Sequence, residues 1–397
     1  MDEHSTSRHA GRLLAAMRPF LEVMTRPELG RLLADPETCD FLAGNPQEVA
    51  SAEYVDILRR WAVPRDKTWF AYKMADPTAQ AAAADGLSRE LGLDFEAQDV
   101  LLARGAHGGL ANALGAVVEP GDEVVFVSPP WFFYEALILG AGAAPVRVRV
   151  DQTTFDLDLA AIERALTARS RAVILNTPHN PTGKIYPPAS LEHLAAILET
   201  ASRRNGRPIY LLSDESYSRI LFDGQRFHTP ARFYRYTFVV HTYSKSALAP
   251  GQRLGFVALP PTMPDRESLR LAFLAVGMAL GTGLPDAIMQ YALPDIERLQ
   301  VDLEQLQRRR DRLLGALREQ GYQVHTPEGT FYLLPRCPMP DDGVFAERLA
   351  RDKVVVLPGR AVEMPGYMRL SLTATDAMIE RALPVFAAAM REVRLVA

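Results

Sequence analysis

The sequence predicts an α/β protein with a large domain holding a mainly parallel sheet flanked by helices, and a smaller α+β domain built from both termini. Between residues 100 and 259, short apolar runs recur, and helical stretches separate several of them. Strands that alternate with helices at this spacing form parallel sheets covered on both faces. A chain of 397 residues, 48% of them hydrophobic, can bury such a core. We expect residues 1–48 and 300–397 to form the small domain and residues 49–299 the large one.

The sheet of the large domain is predicted from short runs rich in β-branched residues. These runs are 100–102, 124–127, 146–150, 172–175, 209–212, 238–240 and 254–259. A helix is predicted at 191–203, between two of them. Because ligands of such sheets bind beyond the carboxyl ends of the strands, we expect a functional site there.

The terminal segments predict helices and a second group of strands. Residues 12–33 are predicted to be mostly helical, with breaks at Pro19 and Pro27. Residues 286–320 predict one long charged helix that Pro294 bends and Gly321 ends. The small-domain elements are predicted as short strands at 330–334, 354–357 and 368–372, followed by an amphipathic helix from Asp376.

Composition excludes several classes of partner. A net charge of −4, without a sustained basic run, argues against nucleic acid as a partner. Cys39 and Cys337 are too few and too far apart for a disulfide framework or a thiol metal cluster, so we expect no metal and a reducing cytoplasm. The polar residues 1–12 contain no apolar signal core, and no apolar run approaches the roughly 18 residues of a membrane span.

The segment from His241 to Lys245 carries a primary amine beside hydroxyl groups, and Arg253 follows that lysine by eight residues. A lysine can form a Schiff base with an aldehyde cofactor, and an arginine provides permanent positive charge for a phosphate. This pair therefore points to pyridoxal 5'-phosphate. The alternative is a surface lysine in a serine-rich turn.

Three polar residues lie near strand ends upstream of this lysine. Asp214 ends an apolar run and can pair with a protonated pyridine nitrogen, while Tyr217 can reach the neighbouring phenolic oxygen. Asn180 lies in a loop that two X-Pro steps and Gly183 make stiff, so its amide can donate to the same oxygen. The plainer readings are a helix-capping acid, a core tyrosine and an ordinary turn.

The small residues from Gly105 to Gly109 join a predicted strand to a predicted helix. Open backbone N–H groups at a helix N-terminus bind phosphate. His107 is interpreted as a packing or loop histidine, because no nearby residue supplies a carboxylate that would orient it as a base.

With these motifs in this order, the chain resembles the fold-type I pyridoxal-phosphate enzymes, specifically the class I/II aminotransferases related to aspartate aminotransferase. The matching residues run from about 41 to 373. The resemblance implies that Lys245 forms the Schiff base and carries the proton, with Asp214 on the pyridine nitrogen. It also implies that Asn180 and Tyr217 bind the phenolic oxygen. It assigns to the phosphate Gly105, Ala106, His107, Thr242 and Arg253.

Further positions follow from the resemblance by register. Trp131 corresponds to the aromatic ring that stacks on the pyridine, and its alternative is an ordinary core aromatic. Arg369 resembles the arginine that takes the substrate α-carboxylate, and Gly44 would let the backbone approach that carboxylate. Tyr72 resembles a tyrosine that reaches the partner's phosphate, although Lys73 to Pro77 depart from the family's glycine-containing pattern. The resemblance therefore implies a homodimer with shared active sites.

The reaction implied is ping-pong transamination between an amino acid and a 2-oxo acid. The alternatives are a lyase, cyclase or oxidase of the same fold, since a few pocket residues decide the outcome. A regulatory ligand sensor would need an added DNA-binding module, and the roughly 45 residues before Gly44 are too few for one. A catalytically inactive scaffold is disfavoured, because all the motif residues are present.

Residues 275–280 bear on the choice of substrate. Dicarboxylate-specific relatives carry an arginine in the corresponding stretch, whereas this chain has no cation there. An unpaired carboxylate against such a wall would lose its solvation without gaining a partner. We therefore expect a substrate with a neutral, apolar or aromatic side chain, unless Arg26 or Arg31 supplies the missing charge.

Overall fold

The N-terminal segment of the protein, seen in a computed structural model that describes residues 6–396, is helical. Helix α1 (Arg8–Met24) continues through Pro19, so the predicted break there is wrong. Proline removes only one backbone donor, and neighbouring Phe20 packs on two aromatic rings, which holds the helix in place. The predicted break at Pro27 is confirmed, since this residue begins α2 (Pro27–Ala34). The next elements are β1 (Cys39–Asp40), α3 (Ala52–Ala62) and α4 (Pro77–Leu91).

A seven-stranded sheet forms the centre of the molecule, in the order β2-β8-β7-β6-β5-β3-β4. Its strands are β2 (Val100–Ala103), β3 (Glu123–Ser128), β4 (Ala144–Arg149), β5 (Ser170–Asn176), β6 (Tyr210–Asp214), β7 (Thr237–Thr242) and β8 (Gly255–Ala258). The two pairs that β8 forms, with β2 and with β7, are antiparallel, and the other four pairs are parallel. The predicted mainly parallel sheet is confirmed.

Helices cover both faces of this sheet. They are α5 (Gly105–Val117), α6 (Tyr134–Gly140), α7 (Leu159–Ala165), α8 (Pro188–Asn205), α9 (Tyr243–Ser246) and α10 (Arg266–Leu280). Successive residues of β3 enter different cores: Val125 packs in one buried cluster, and Val124 and Phe126 pack in another. Because both faces are buried, the strands are almost wholly apolar.

The predicted single helix over 286–320 is wrong. The chain forms α11 (Ala287–Ile296), which contains Pro294, and a separate α12 (Leu303–Glu319). Glu297 follows α11 and is buried with partners from distant segments, while Asp302 caps α12 by accepting a hydrogen bond from the Gln305 amide. These contacts interrupt a continuous helix.

The C-terminal elements build smaller sheets. They are β9 (Tyr332–Leu333), α13 (Asp342–Arg351), β10 (Val354–Val355), β11 (Leu357–Pro358), β12 (Met368–Ser371) and α14 (Asp376–Val396). The strand predicted at 354–357 is thus two short strands, of which β10 pairs with β1 and β11 pairs with β12. Cys39 and Phe41 pack in one core with residues of α12 and α14. The smaller α+β unit therefore draws on both termini, as the predicted fold class requires.

The described residues contain neither a membrane-spanning helix nor a metal-binding cluster. Within 6–396, no helix is both long and apolar enough to span a bilayer. In the same part of the chain, no cluster of three or more histidine, cysteine or acidic side chains has the arrangement of a metal site.

Candidate active site

The predicted site residues meet at the carboxyl edge of the large sheet. Asp214 ends β6, Thr242 ends β7, and Lys245 follows on α9. They line a cavity of about 210 Å³. The other predicted residues that line it are Gly44, Ala106, His107, Trp131, Asn180, Tyr217, Arg253 and Arg369. Of the predicted set, only Gly105 and Tyr72 are not among the lining residues.

Asp214 is buried with hydrogen bonds on both carboxylate oxygens. Tyr134 donates its hydroxyl to Oδ2 at 2.6 Å. Ser216 donates its hydroxyl to Oδ1 at 2.5 Å and its backbone N–H at 3.2 Å. Burial raises the pKa of Asp214, although these hydrogen bonds and the charge of Lys245 oppose the effect. A cation placed against this carboxylate would therefore be strongly stabilised.

Lys245 projects its amine toward an aromatic wall. Nζ lies 5.4 Å from the ring centroid of Phe331 and 5.8 Å from that of Tyr217. In the described part of the chain, no carboxylate lies within ion-pair distance of this amine. Thr242 caps α9 by accepting from the backbone N–H of Ser244 at 3.2 Å, and this fixes the turn that presents the lysine. The turn therefore positions the amine at the cavity without a carboxylate partner among the described residues.

Arg253 and Gly105 lie together at the start of α5. Arg253 has a φ of 50° and donates from Nη1 to the Pro250 carbonyl at 2.9 Å. Gly105 has a φ of 68°, and a Cβ at this position would lie 2.8 Å from Arg253 Nη2. Glycine is favoured here by its positive φ, and its missing Cβ leaves the guanidinium in this position. The result is an exposed guanidinium beside the open N–H groups of a helix N-terminus.

A hydrogen-bonded chain links Asp214 to Arg369. Asn176 donates its side-chain amide to the Asp214 carbonyl at 2.8 Å and accepts the Asn180 backbone N–H at 2.7 Å. Arg369 donates from Nη1 to Asn180 Oδ1 at 3.1 Å and from Nη2 to the Leu42 carbonyl at 3.2 Å. Two of the five guanidinium N–H donors are thus used, and the others are available to a carboxylate.

Aromatic residues form the remaining wall. Trp131 packs edge-on against His107, with ring centroids 5.2 Å apart and planes at 87°. Burial, and then the charge of Arg253, lowers the pKa of His107. Phe132 also lines the cavity, and Phe20 of α1 stacks on its outer face at 4.2 Å. This side of the cavity is apolar.

Comparison with known proteins agrees with this geometry. The family model described as aminotransferase class I and II matches residues 47–386. The chain is 30% identical over 391 residues to an aspartate/prephenate aminotransferase of Thermus thermophilus, covering 96% of this chain and 98% of that protein. It is 30% identical over 371 residues to an aspartate aminotransferase of Rhizobium meliloti, covering 87% of each.

The chain belongs to the class I and II aminotransferase family. Its fold matches an amino transferase from Eubacterium rectale with a TM-score of 0.85 at 27% identity, covering 98% of this chain and 96% of that one. It matches a Thermus thermophilus aspartate aminotransferase with maleate with a TM-score of 0.82 at 29% identity, covering 97% of this chain and 100% of that one. The protein is an aminotransferase of fold type I, and the lyase, cyclase and oxidase alternatives are not favoured.

Tyr72 and the two arginines considered for the substrate side chain lie away from the cavity of this aminotransferase. Tyr72 is 96% exposed and makes no contribution to the site of its own chain. Arg26 forms an ion pair of 2.9 Å with Glu347, and Arg31 lines the same separate groove between α2 and α13. The expectation that Arg26 or Arg31 could face the substrate is therefore not met in this structure.

Sequence reasoning missed several side chains of the cavity or its wall. Tyr134 belongs to an aromatic run that gave no sign of its hydrogen bond to Asp214. Asn176 ends β5, and its sequence context gives no sign that it bonds to both Asp214 and Asn180. Tyr332 lines the cavity from β9, where it was predicted only as part of a strand. The related sequence feature is Gly44, because a Cβ at that position would clash with the Tyr332 hydroxyl.

Proposed function

We propose that this aminotransferase holds pyridoxal 5'-phosphate in the cavity and moves an amino group between an amino acid with a neutral side chain and a 2-oxo acid. The observation that carries the proposal is the convergence of Lys245, Asp214 and Arg369 on one cavity at the carboxyl edge of the sheet. An amine, a buried anion and a carboxylate-binding cation are the three groups such a reaction needs.

The residues present fit this cofactor. Gly105 leaves free the space beside Arg253 that a Cβ would fill, and the open N–H groups of α5 adjoin it, which suits a phosphate. Asp214 is a buried carboxylate with hydrogen bonds but no ion pair among the described residues, which suits a protonated pyridine nitrogen. We assign the phosphate to Gly105, Ala106, His107, Thr242 and Arg253.

When bound, this cofactor supplies an electron-withdrawing ring that makes the Cα proton of an amino acid removable. Asp214 would stabilise a proton on the ring nitrogen. Lys245 Nζ would accept the Cα proton of the amino acid and give it up again later in the same half-reaction. Arg369 grips the α-carboxylate and so turns the Cα–H bond toward Lys245. Two half-reactions, one with the amino acid and one with the 2-oxo acid, follow in ping-pong order.

Other residues position the partners. Asn180 and Tyr217 would bind the phenolic oxygen of the ring, and Trp131 would lie beside the ring. Asn180 also accepts a hydrogen bond from Arg369 at 3.1 Å. A substrate carboxylate bound to Arg369 would therefore be linked, through Arg369 and Asn180, to the cofactor ring. Gly44 borders the carboxylate position.

The substrate side chain is proposed to be neutral and apolar or aromatic. The cations that line the cavity are Lys245, Arg253 and Arg369, and also His107 when protonated. Lys245 and Arg253 are already assigned to the cofactor, and Arg369 is assigned to the α-carboxylate. The apolar wall of Trp131 and Phe132 is the surface left for the side chain. This differs from the relatives that are named for aspartate.

We also propose a homodimer with shared active sites and a cytoplasmic location. Tyr72, Phe70 and Met74 are 96%, 62% and 55% exposed along one loop, which is unusual for large apolar side chains and is typical of an interface. Cys39 and Cys337 are both free and buried, as expected in a reducing compartment. We propose residues 49–299 as the large domain and residues 1–48 and 300–397 as the small one.

A panel experiment tests the proposal. Purified protein loaded with pyridoxal phosphate is mixed with single amino acids, and the visible absorbance of the bound cofactor and the released 2-oxo acid are measured together. Transamination predicts stoichiometric 2-oxo acid as the band is lost. Loss of the band with a different product would support the lyase, cyclase or oxidase alternative. Lys245→Ala serves as the control, because it should show no borohydride-reducible link to the cofactor.

A further inference from the structure

Tyr332 contacts three groups that belong to different elements of the site. Its ring lies under the guanidinium of Arg369, with Cζ 4.0 Å from the ring centroid. Its hydroxyl accepts a hydrogen bond from the hydroxyl of Tyr217 at 3.5 Å. The residue is buried and still lines the cavity. Tyr332 therefore contacts Arg369, which is proposed to bind the carboxylate, on one side and Tyr217, which is proposed to bind the cofactor, on the other.

The position of the Tyr332 hydroxyl also explains why residue 44 is a glycine. A Cβ on Gly44 would lie 2.4 Å from this oxygen and 2.6 Å from Cε2 of Phe331. Any side chain at position 44 would displace one of these rings. The phenolic oxygen of Tyr332 therefore occupies the space beside the Gly44 backbone, where the resemblance to the family places the substrate carboxylate.

The electrostatics of Tyr332 favour donation to an anion. Burial by itself raises its pKa, but the charges of Arg369 and Lys245, with the hydrogen bond from Tyr217, outweigh burial and lower it. Burial, and then Tyr332 itself, raises the pKa of Tyr217. Since Tyr217 donates within this pair, the proton of Tyr332 is left for another acceptor. A more acidic phenol is the stronger hydrogen-bond donor to a carboxylate.

We infer that Tyr332 is a substrate-contacting residue: its hydroxyl donates a hydrogen bond to the α-carboxylate that Arg369 binds, and its ring holds the Arg369 guanidinium in place. This inference rests on the proposed carboxylate role of Arg369. The hydroxyl gives the carboxylate a fourth hydrogen-bond donor, in addition to the three N–H groups of Arg369 that are not already used. The cation–π contact fixes a long side chain that would otherwise lose rotamer freedom when substrate binds.

Binding of unreactive carboxylates to the cofactor-loaded enzyme tests the inference without turnover. The probes are 3-phenylpropanoate and succinate, which lack an amino group, and the tighter of the two is used for the variants. Calorimetry gives its dissociation constant. Tyr332→Phe keeps the ring and removes the hydroxyl, so we expect binding to weaken roughly tenfold. Tyr332→Leu also removes the ring, so we expect a further loss of about fivefold.

Two reference variants make the result decisive. Tyr186→Phe removes another buried hydroxyl, one that has no hydrogen-bond partner among residues 6–396 and does not line the cavity, and it should bind the probe as the unaltered enzyme does. Arg369→Lys should lose most of the binding. If Tyr332→Phe binds normally while Arg369→Lys does not, the inference about Tyr332 is overturned and the proposed function stands. If the unaltered enzyme binds neither probe, or if Arg369→Lys binds normally, the carboxylate seat is elsewhere and both fail.

A kinetic split separates contact from general disturbance. Loss of a carboxylate contact raises KM for the amino acid and for the 2-oxo acid together. We expect Tyr332→Phe to raise both, with the melting temperature within a few degrees of the unaltered enzyme. An unchanged KM for both substrates would contradict the inference even if kcat fell.

Discussion

The hydroxyl of Tyr243 donates a hydrogen bond of 2.5 Å to the carboxylate of Glu297. Tyr243 lies two residues before Lys245, and Glu297 lies in the segment between α11 and α12. Arg219, two residues after Tyr217, pairs with the same carboxylate and with Glu90 at 2.8 Å. One buried acid thus ties the lysine helix and the Tyr217 loop to the junction that precedes α12.

We predict that Glu297→Ala lowers the free energy of unfolding by about 3–5 kcal/mol, because it leaves the Arg219 guanidinium largely buried with only its Glu90 partner. Urea denaturation measures this change. Glu304→Ala is the matched control, since Glu304 faces solvent in an exposed pair with Arg308 and should change stability by no more than about 0.5 kcal/mol. Equal effects of the two substitutions would contradict the importance of this network.

Asp214→Asn should slow Cα proton transfer by orders of magnitude while the protein still folds and binds the cofactor. Tyr134 and Ser216 donate to different oxygens of Asp214, so an asparagine keeps one of these acceptors and puts an NH2 donor in place of the other. Its neutral amide cannot stabilise a protonated pyridine as a carboxylate does. Single-turnover absorbance measures the step. Tyr134→Phe, which removes one hydrogen bond and keeps the charge, should give an intermediate rate. An unchanged rate in Asp214→Asn would remove this residue from the proposed role.

Glu215 predicts a pH dependence of stability. Burial raises its pKa from 4.5 to about 8, against hydrogen bonds from Thr229 and Ser213. The folded protein holds this proton more tightly than the unfolded chain does. The stabilisation of the fold by Glu215 is therefore complete below pH 4.5 and is lost as pH rises through 8. Between these two values, the free energy of unfolding that Glu215 contributes falls by up to about 1.4 kcal/mol per pH unit.

Glu215→Gln removes this titration and keeps an oxygen acceptor for Thr229 and Ser213. We therefore expect the free energy of unfolding of the variant to fall less between pH 5 and 8 than that of the unaltered protein. Urea titrations at a series of pH values measure the difference. Parallel curves for the two proteins would show that Glu215 is already ionised in the fold.

If the protein is a dimer as proposed, its sedimentation coefficient at assay concentration should correspond to a particle of two chains. Met74→Glu should shift the protein toward monomer and reduce activity, since it replaces one of the exposed apolar side chains of the loop that carries Tyr72 with a charge. Val344→Glu is the control, because Val344 is similarly exposed, 49% against 55%, but lies on α13. A fully active monomer would rule out shared sites.

Substrate choice is decided by steady-state comparison of aspartate with leucine, methionine and phenylalanine. No unassigned arginine or lysine of the described residues lines the cavity, so a side-chain carboxylate would be desolvated without a partner. We expect kcat/KM to favour the best neutral substrate by roughly a hundredfold or more. A strong preference for aspartate would sink the proposal and would imply that a partner chain brings the missing cation.

The fold class and most of the site could be predicted from local sequence. Lys245, Asp214 and Asn180 each follow an apolar run within a few residues, and strand ends in a parallel sheet share one edge, so their meeting needs no knowledge of packing. Gly105 and Arg253 were predicted in the same way, from glycine chemistry and spacing. These are short-range signals.

Tertiary structure alone decided the features that depend on distant partners. Residues 286–320 have a helical pattern, yet the chain breaks at Glu297 because Tyr243 and Arg219, 54 and 78 residues away, bind that side chain. Tyr332 has no local motif, and its neighbour Tyr217 lies 115 residues away. Periodicity and spacing record only what a segment does by itself. A buried carboxylate or phenol acquires its role from charges that folding brings near, so these roles appear only once the chain is packed.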